Sequence, residues 1–259
     1  MNNIIKSLCY DAVKSKGLIR LVIFIMLLMG LITVLNINLA GELPGTSGML
    51  VSNPDITYLM GFLFTGILIA MISGDGFADK TSNYEVMSGH SRKSIIIARG
   101  LFGAVVTALV LTAASFIPII VGNIFFDWGD SLRLSDVIIR QLLYFFPLLR
   151  ISAFTVSMLY IIRNQYITMI LGYGLIMFVN MVDHINKSYY SAVSNLELLT
   201  DYKGWSIYNL DPVDGIVEYS AYDSNIDPKM VFGTIAVSLV MAAFYLILAY
   251  AVFRREDID

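Results

Sequence analysis

The chain has 259 residues, 57% of them hydrophobic and 14% charged, with a mean hydropathy of +0.73 and a formal net charge of −3. Soluble domains hold about 25% charged residues, so this composition points to lipid as the main solvent. A single cysteine, Cys9, excludes an intramolecular disulfide framework and a cysteine zinc cage, and His90 and His184 are too few and too far apart for a metal site. No basic, aromatic-interleaved patch suggests a nucleic-acid ligand.

In chain order, residues 1–17 come first. Ile4, Ile5, Leu8, Cys9, Ala12 and Val13 recur at helical spacing, with Lys6, Ser7, Lys14 and Ser15 on other faces. This pattern predicts an amphipathic helix in the headgroup region, its lysines towards anionic lipid and Gly17 as its stop. The apolar run that follows is too long for a signal-peptide core and lacks a small-x-small cleavage site.

Leu18–Ile37 is span one, about twenty residues, enough for a roughly 30 Å hydrocarbon core. Spans two and three are Ile56–Ile72 and Ile95–Val121. Gly100, Ala104, Ala108 and Thr112 fall at four-residue intervals on span three, a small-residue stripe that admits another helix closely. Pro118 is placed to kink its outer end. Ser135 or Asp136 is expected to cap span four, Val137–Ile162. Only Arg163, Asn164 and Gln165 separate it from span five, Tyr166–Val182, so the two form a tight hairpin. Span six is Met230–Phe253. The expected fold is therefore an all-α integral membrane domain over 1–259, with six transmembrane helices and an interfacial N-terminal helix.

Orientation follows the lysine and arginine distribution. The side holding both termini, the 73–94 loop and the 163–165 turn has Lys6, Lys14, Lys16, Arg20, Lys80, Arg92, Lys93, Arg99, Arg163, Arg254 and Arg255, eleven in all. The other side has Arg133, Lys187, Lys203 and Lys229, four in all, with Arg140 close by. Both termini are thus expected in the cytoplasm.

No Walker-type Gly-x4-Gly-Lys-Ser/Thr loop, no His-Glu-x2-His and no Gly-x-Ser-x-Gly elbow occurs. The chain is not expected to be an enzyme. Asp75 and Asp79 resemble, faintly, the paired aspartates of metal-dependent membrane phosphotransferases, but the further carboxylates of such a site are absent. A secondary carrier would show inverted repeats with interrupted helices. The halves 1–122 and 123–259 show no matching breaks in sequence.

Arg150 falls close to mid-membrane, three residues after Pro147. A central arginine costs roughly 2.5–3.5 kcal/mol on insertion scales, so it is expected to face protein or water. Its candidate partners are carbonyls freed by Pro147, the Tyr173 hydroxyl, water or a substrate, which leaves a structural and a pathway role both open. Arg140 and Asp183 are expected to pair at the outer end of the hairpin. The outer segment 184–228 is acidic and tyrosine-rich, suited either to the interface belt or to attracting a cationic amphipathic peptide.

The 73–94 loop carries a pattern: Asp75, Phe77-x3-Thr81, Glu85, Met87, then Ser91-Arg92, with Arg99 seven residues on. It resembles the segment between spans two and three of type-2 ABC exporter permeases, roughly an acid, Gly-Thr, Leu, Ser-Arg, then Lys. Thr81, Ser91 and Arg92 match; Asp75 stands in for the acid, Lys80 replaces the glycine and Arg99 the lysine. The resemblance runs over nearly the whole chain, through the N-terminal helix, the spans, the extended outer segment and the basic-then-acidic tail Arg254–Ile258. It implies a permease half in a bacterial plasma membrane that pairs with an identical or paralogous permease. Separate ABC ATP-binding subunits would carry Mg-ATP, with no cofactor in this chain. Asp75, Thr81, Glu85, Ser91, Arg92 and Arg99 would then couple the ATPase to the membrane part.

Overall fold

The structure, a computed structural model, describes residues 2–39, 54–74, 91–129, 133–171, 174 and 228–254. Among the described residues the chain is helical, with no strand. The helices are α1 (Asn2–Lys14), α2 (Lys16–Leu39), α3 (Pro54–Ser73), α4 (Arg92–Ser115), α5 (Ile117–Phe125), α6 (Leu134–Leu143), α7 (Phe145–Ile162) and α8 (Pro228–Arg254). Residues 165–171 are also helical. Four stretches are long and apolar enough to cross a membrane, namely Lys16–Leu35, Ile97–Phe125, Val137–Ile162 and Val231–Val252, and α3 adds the shorter apolar stretch Leu63–Ser73.

The joints depart from the expected ones in ways that local chemistry explains. Helix α1 stops at Lys14, and Gly17 lies inside the first turn of α2. Ser15 makes the joint: its hydroxyl accepts from the Leu18 N–H at 3.2 Å, as an N-cap does. A Cβ on Gly17 would lie 3.2 Å from Met71 Cε, so this glycine serves packing against α3. Helix α6 begins at Leu134, which places Ser135 and Asp136 in its first turn rather than at its cap.

Spans three and four are each broken before a proline. Phe116 forms a turn between α4 and α5, with Pro118 in the first turn of α5. Tyr144 separates α6 from α7, with Pro147 in the first turn of α7. A proline ring has no N–H to give and crowds the carbonyl four residues back, so Pro118 and Pro147 interrupt their ladders at Ala114 and Leu143. The two halves of the chain therefore each contain a break, and the one at Phe116 is the kink expected from Pro118. The 163–164 hairpin turn is as tight as expected. Arg163 adopts a left-handed backbone (φ 57°) as the C-cap of α7, and Asn164 Oδ1 accepts from the N–H groups of Tyr166 and Ile167 at 3.0 and 3.1 Å.

Helix α7 is the central helix, packed against α3, α4 and α8. Leu148, Ile151, Ala153, Val156 and Leu159 are buried on several of its sides. The small-residue stripe of α4 faces this core. Ala104 and Ala108 are fully buried, and a Cβ on Gly100 would meet Val156 at 3.1 Å and Leu246 at 3.5 Å. Large apolar side chains are exposed, among them Phe24, Leu27 and Leu31 on α2, and Val240, Phe244 and Ile247 on α8. Thr65, Thr107, Ser152, Thr155, Ser157, Ser238 and Arg150 are by contrast buried. Apolar groups outside and polar groups inside reverse the pattern of a water-soluble domain and suit a lipid surround.

Candidate functional site

Two places collect the residues that the sequence singles out: one end of the bundle, and the interior around Arg150.

The end is defined by close approaches between segments far apart in sequence. Ser73 Oγ, at the close of α3, donates to the Arg99 carbonyl on α4 at 3.2 Å. A Cβ on Gly103 would collide with that same Ser73 oxygen. One on Gly74 would come within 2.9 Å of Gln165 Cβ, so the 163–165 turn sits at the same end. Ile4 on α1 is buried with Ile95 and Ala98 of α4, and Ile5 and Leu8 pack beside them. Leu246 beside Gly100 brings the C-terminal half of α8 to this end as well. The apolar face of α1 is therefore divided: Ile4, Ile5, Leu8 and Ala12 pack on protein, while Cys9 and Val13 are exposed together with Lys6 and Lys14.

Ser91 has a definite structural task here. Its backbone is extended (φ −66°, ψ 140°) and its hydroxyl accepts from the Ser94 N–H at 3.2 Å, making it the N-cap of α4. Arg92 and Lys93 follow in the first turn, where a helix macrodipole disfavours cations, and no acid is present in that turn. Capping alone accounts for the serine and leaves the two cations unexplained. Ser91→Ala is expected to cost about 1 kcal/mol of local helix stability. The measurement is hydrogen exchange, which should quicken at the amides of 92–94 while residues 104–112 are unchanged.

Arg99 is half-buried, one turn from Ile95. Asp75, Thr81 and Glu85 lie outside the described residues, as do Tyr173 and Asp183. The Arg140 side chain likewise lies outside them, so the Arg140–Asp183 pair has no geometry to report.

The interior site centres on Arg150, which is 1% exposed and heads the largest fully buried side chains. It sits on α7 one turn before Phe154, whose ring meets that of Tyr245 edge to face with centroids 5.3 Å apart. The Arg150 charge reaches the Tyr245 hydroxyl. Residue patterning singled out Arg150 but not Tyr245, Ser73 or Gly103. A tyrosine or threonine within an apolar run gives no signal until the neighbouring helix is known.

These helices define an all-helical class of protein fit to span a membrane. Searches of the sequence against protein-family models and against curated proteins give no match.

Proposed function

We propose that this chain is the membrane-spanning permease subunit of an ATP-driven exporter of the type-2 ABC kind, in a bacterial plasma membrane. Two permease subunits form the pathway, and separate ATP-binding subunits carrying Mg-ATP dock from the cytoplasm. The substrate class we favour is an amphipathic compound such as an antimicrobial peptide, on the acidity of the 184–228 segment.

The observation that carries this reading is the convergence at one end of the bundle. Helix α1, the Ser73–Arg99 contact, the Ser91–Arg92 start of α4 and the 163–165 turn meet there. These segments hold most of the eleven lysines and arginines of the expected cytoplasmic side. The 75–90 loop is anchored at both ends by this cluster, since Ser73 precedes it and Ser91 follows it. A pull on the loop would pass to α3 and α4 through the Ser73–Arg99 bond and to α1 through Ile95. Movement of packed helices as rigid bodies is an ordinary way to transmit such a pull.

The test is gentle purification of the tagged chain from its native membrane, beside an Arg92→Glu, Glu85→Arg variant. An ATP-binding subunit should accompany the wild type and be lost from the variant. Retention by the variant would move the docking surface elsewhere, and absence of any ATPase would sink the exporter reading. A second reading, a carrier driven by an ion gradient, is favoured by the proline breaks at Phe116 and Tyr144, one in each half. Uptake or efflux in proteoliposomes under an ion gradient without ATP would select it.

A further inference from the structure

Helix α2 has two distinct faces. Leu18, Ile25 and Met29 are buried where the helix packs on α3, α4 and α5. The opposite face is exposed and reads Lys16, Arg20, Phe24, Leu27 and Leu31, each three or four residues from the one before. Residues at this spacing share one side of a helix. Two cations therefore head an apolar stripe on a single surface. At 1.5 Å per residue, Arg20 to Leu31 is about 16 Å, roughly half of a hydrocarbon core of about 30 Å. The stripe is one leaflet deep, with its charges at the headgroup level.

The charge at this end is unbalanced. Residues 2–39 hold Lys6, Lys14, Lys16 and Arg20 against a single acid, Asp11. Asp11 accepts from the Ser7 hydroxyl on its own helix, at 3.4 Å. Lys14 is engaged on α1 too: its ammonium lies 4.4 Å from the centre of the Tyr10 ring and donates to the Tyr10 hydroxyl. Lys16 and Arg20 are the cations of the α2 face itself, and among the described residues neither meets a carboxylate.

An anionic phospholipid matches both ends of the stripe. Its phosphodiester carries one negative charge on two free oxygens, which an arginine fork and an ammonium can share. Its chains are apolar over the depth that Phe24, Leu27 and Leu31 cover. A second copy of the chain fits less well. A two-fold contact through this face would set Lys16 and Arg20 beside their own copies, and like charges so placed repel.

We propose that the exposed face of α2 binds an anionic phospholipid of the leaflet on the α1 side. Lys16 and Arg20 hold its phosphate, and its chains lie along Phe24, Leu27 and Leu31. Such a site goes beyond the exporter reading and needs no ATPase, so the two can fail separately.

The test is native mass spectrometry of the full chain in detergent, titrated with dioleoyl phosphatidylglycerol or, as control, dioleoyl phosphatidylcholine. The glycerol lipid is expected to be retained more tightly than the choline lipid. Lys16→Gln and Arg20→Gln should each weaken its binding about fivefold, the effect of one cation near an anionic headgroup. Lys6→Gln removes the same charge from the far end of α1 and should leave the binding unchanged. Leu27→Asn puts an amide among the chains, and should weaken both lipids without altering the mass of the protein assembly. Equal retention of the two lipids, an equal loss in Lys6→Gln, or displacement by free glycerol phosphate would each overturn the site. A dimer split by Leu27→Asn with lipid retention unchanged would give this face to a second copy instead.

Discussion

Gly103→Val is expected to leave little folded protein, whereas Gly103→Ala should be rescued by a change 30 residues away in sequence, Ser73→Ala. A Cβ at position 103 would overlap Ser73 Oγ and stand 3.4 Å from Ser73 Cβ and 3.8 Å from Ile69 Cδ1. With alanine, Ser73 can turn its hydroxyl away, and the damage is the lost bond to the Arg99 carbonyl, about 1 kcal/mol. Valine adds two methyl groups where α3 already stands in contact, which separates α3 from α4 at a cost of about 1–3 kcal/mol or more. In a Ser73→Ala background the nearest atom is then 3.4 Å from the new Cβ, and Gly103→Ala should be close to neutral. The checkable result is non-additivity: the thermal midpoint of the detergent-purified double variant should be higher than the two single shifts added together. Simple additivity would mean that Ser73 and Gly103 do not meet.

Arg150→Ala is expected to destabilise the protein by about 3–5 kcal/mol, through two separable effects. The first is volume: no larger fully buried side chain exists among the described residues, and alanine leaves most of that space empty. The second is the loss of a cation whose charge acts on the Tyr245 hydroxyl. Arg150→Met refills much of the volume and removes the roughly 2.5–3.5 kcal/mol insertion penalty of a central arginine, but restores neither the charge nor the N–H donors. The methionine variant should therefore recover a large part of the lost thermal stability and, on the proposed exporter reading, none of the export. Equal loss of stability in both variants would mean that the charge matters more than the packing. On the same reading, full export by the methionine variant would leave Arg150 a structural role alone.

Much of the site was legible in the chain because the membrane makes charge conspicuous. Arg150 stands out in an apolar run by its charge alone, and its burial follows from the cost of placing it in lipid. The basic residues of the N-terminus, the loop and the 163–165 turn share a side by the same asymmetry, and the structure brings described members of those segments to one end of the bundle. Hidden in the chain were the residues that act only through a neighbour. Gly103 is one glycine among nineteen until Ser73 is found against it.

What the sequence by itself determined is the helical class, the apolar stretches and the position of their charged interruptions, since these depend on length, periodicity and the solvation cost of single residues. Only the tertiary structure decided which ends meet and which faces close. It docked the N-terminal helix on Ile95 and Ala98, made Ser91 a cap, and set the Tyr245 ring edge to face against Phe154, one turn from Arg150. The reason is physical. Transfer to lipid scores each residue against a uniform solvent, so it can be summed along a chain. Contacts between helices depend on the shape and register of two surfaces, which no single stretch of sequence contains.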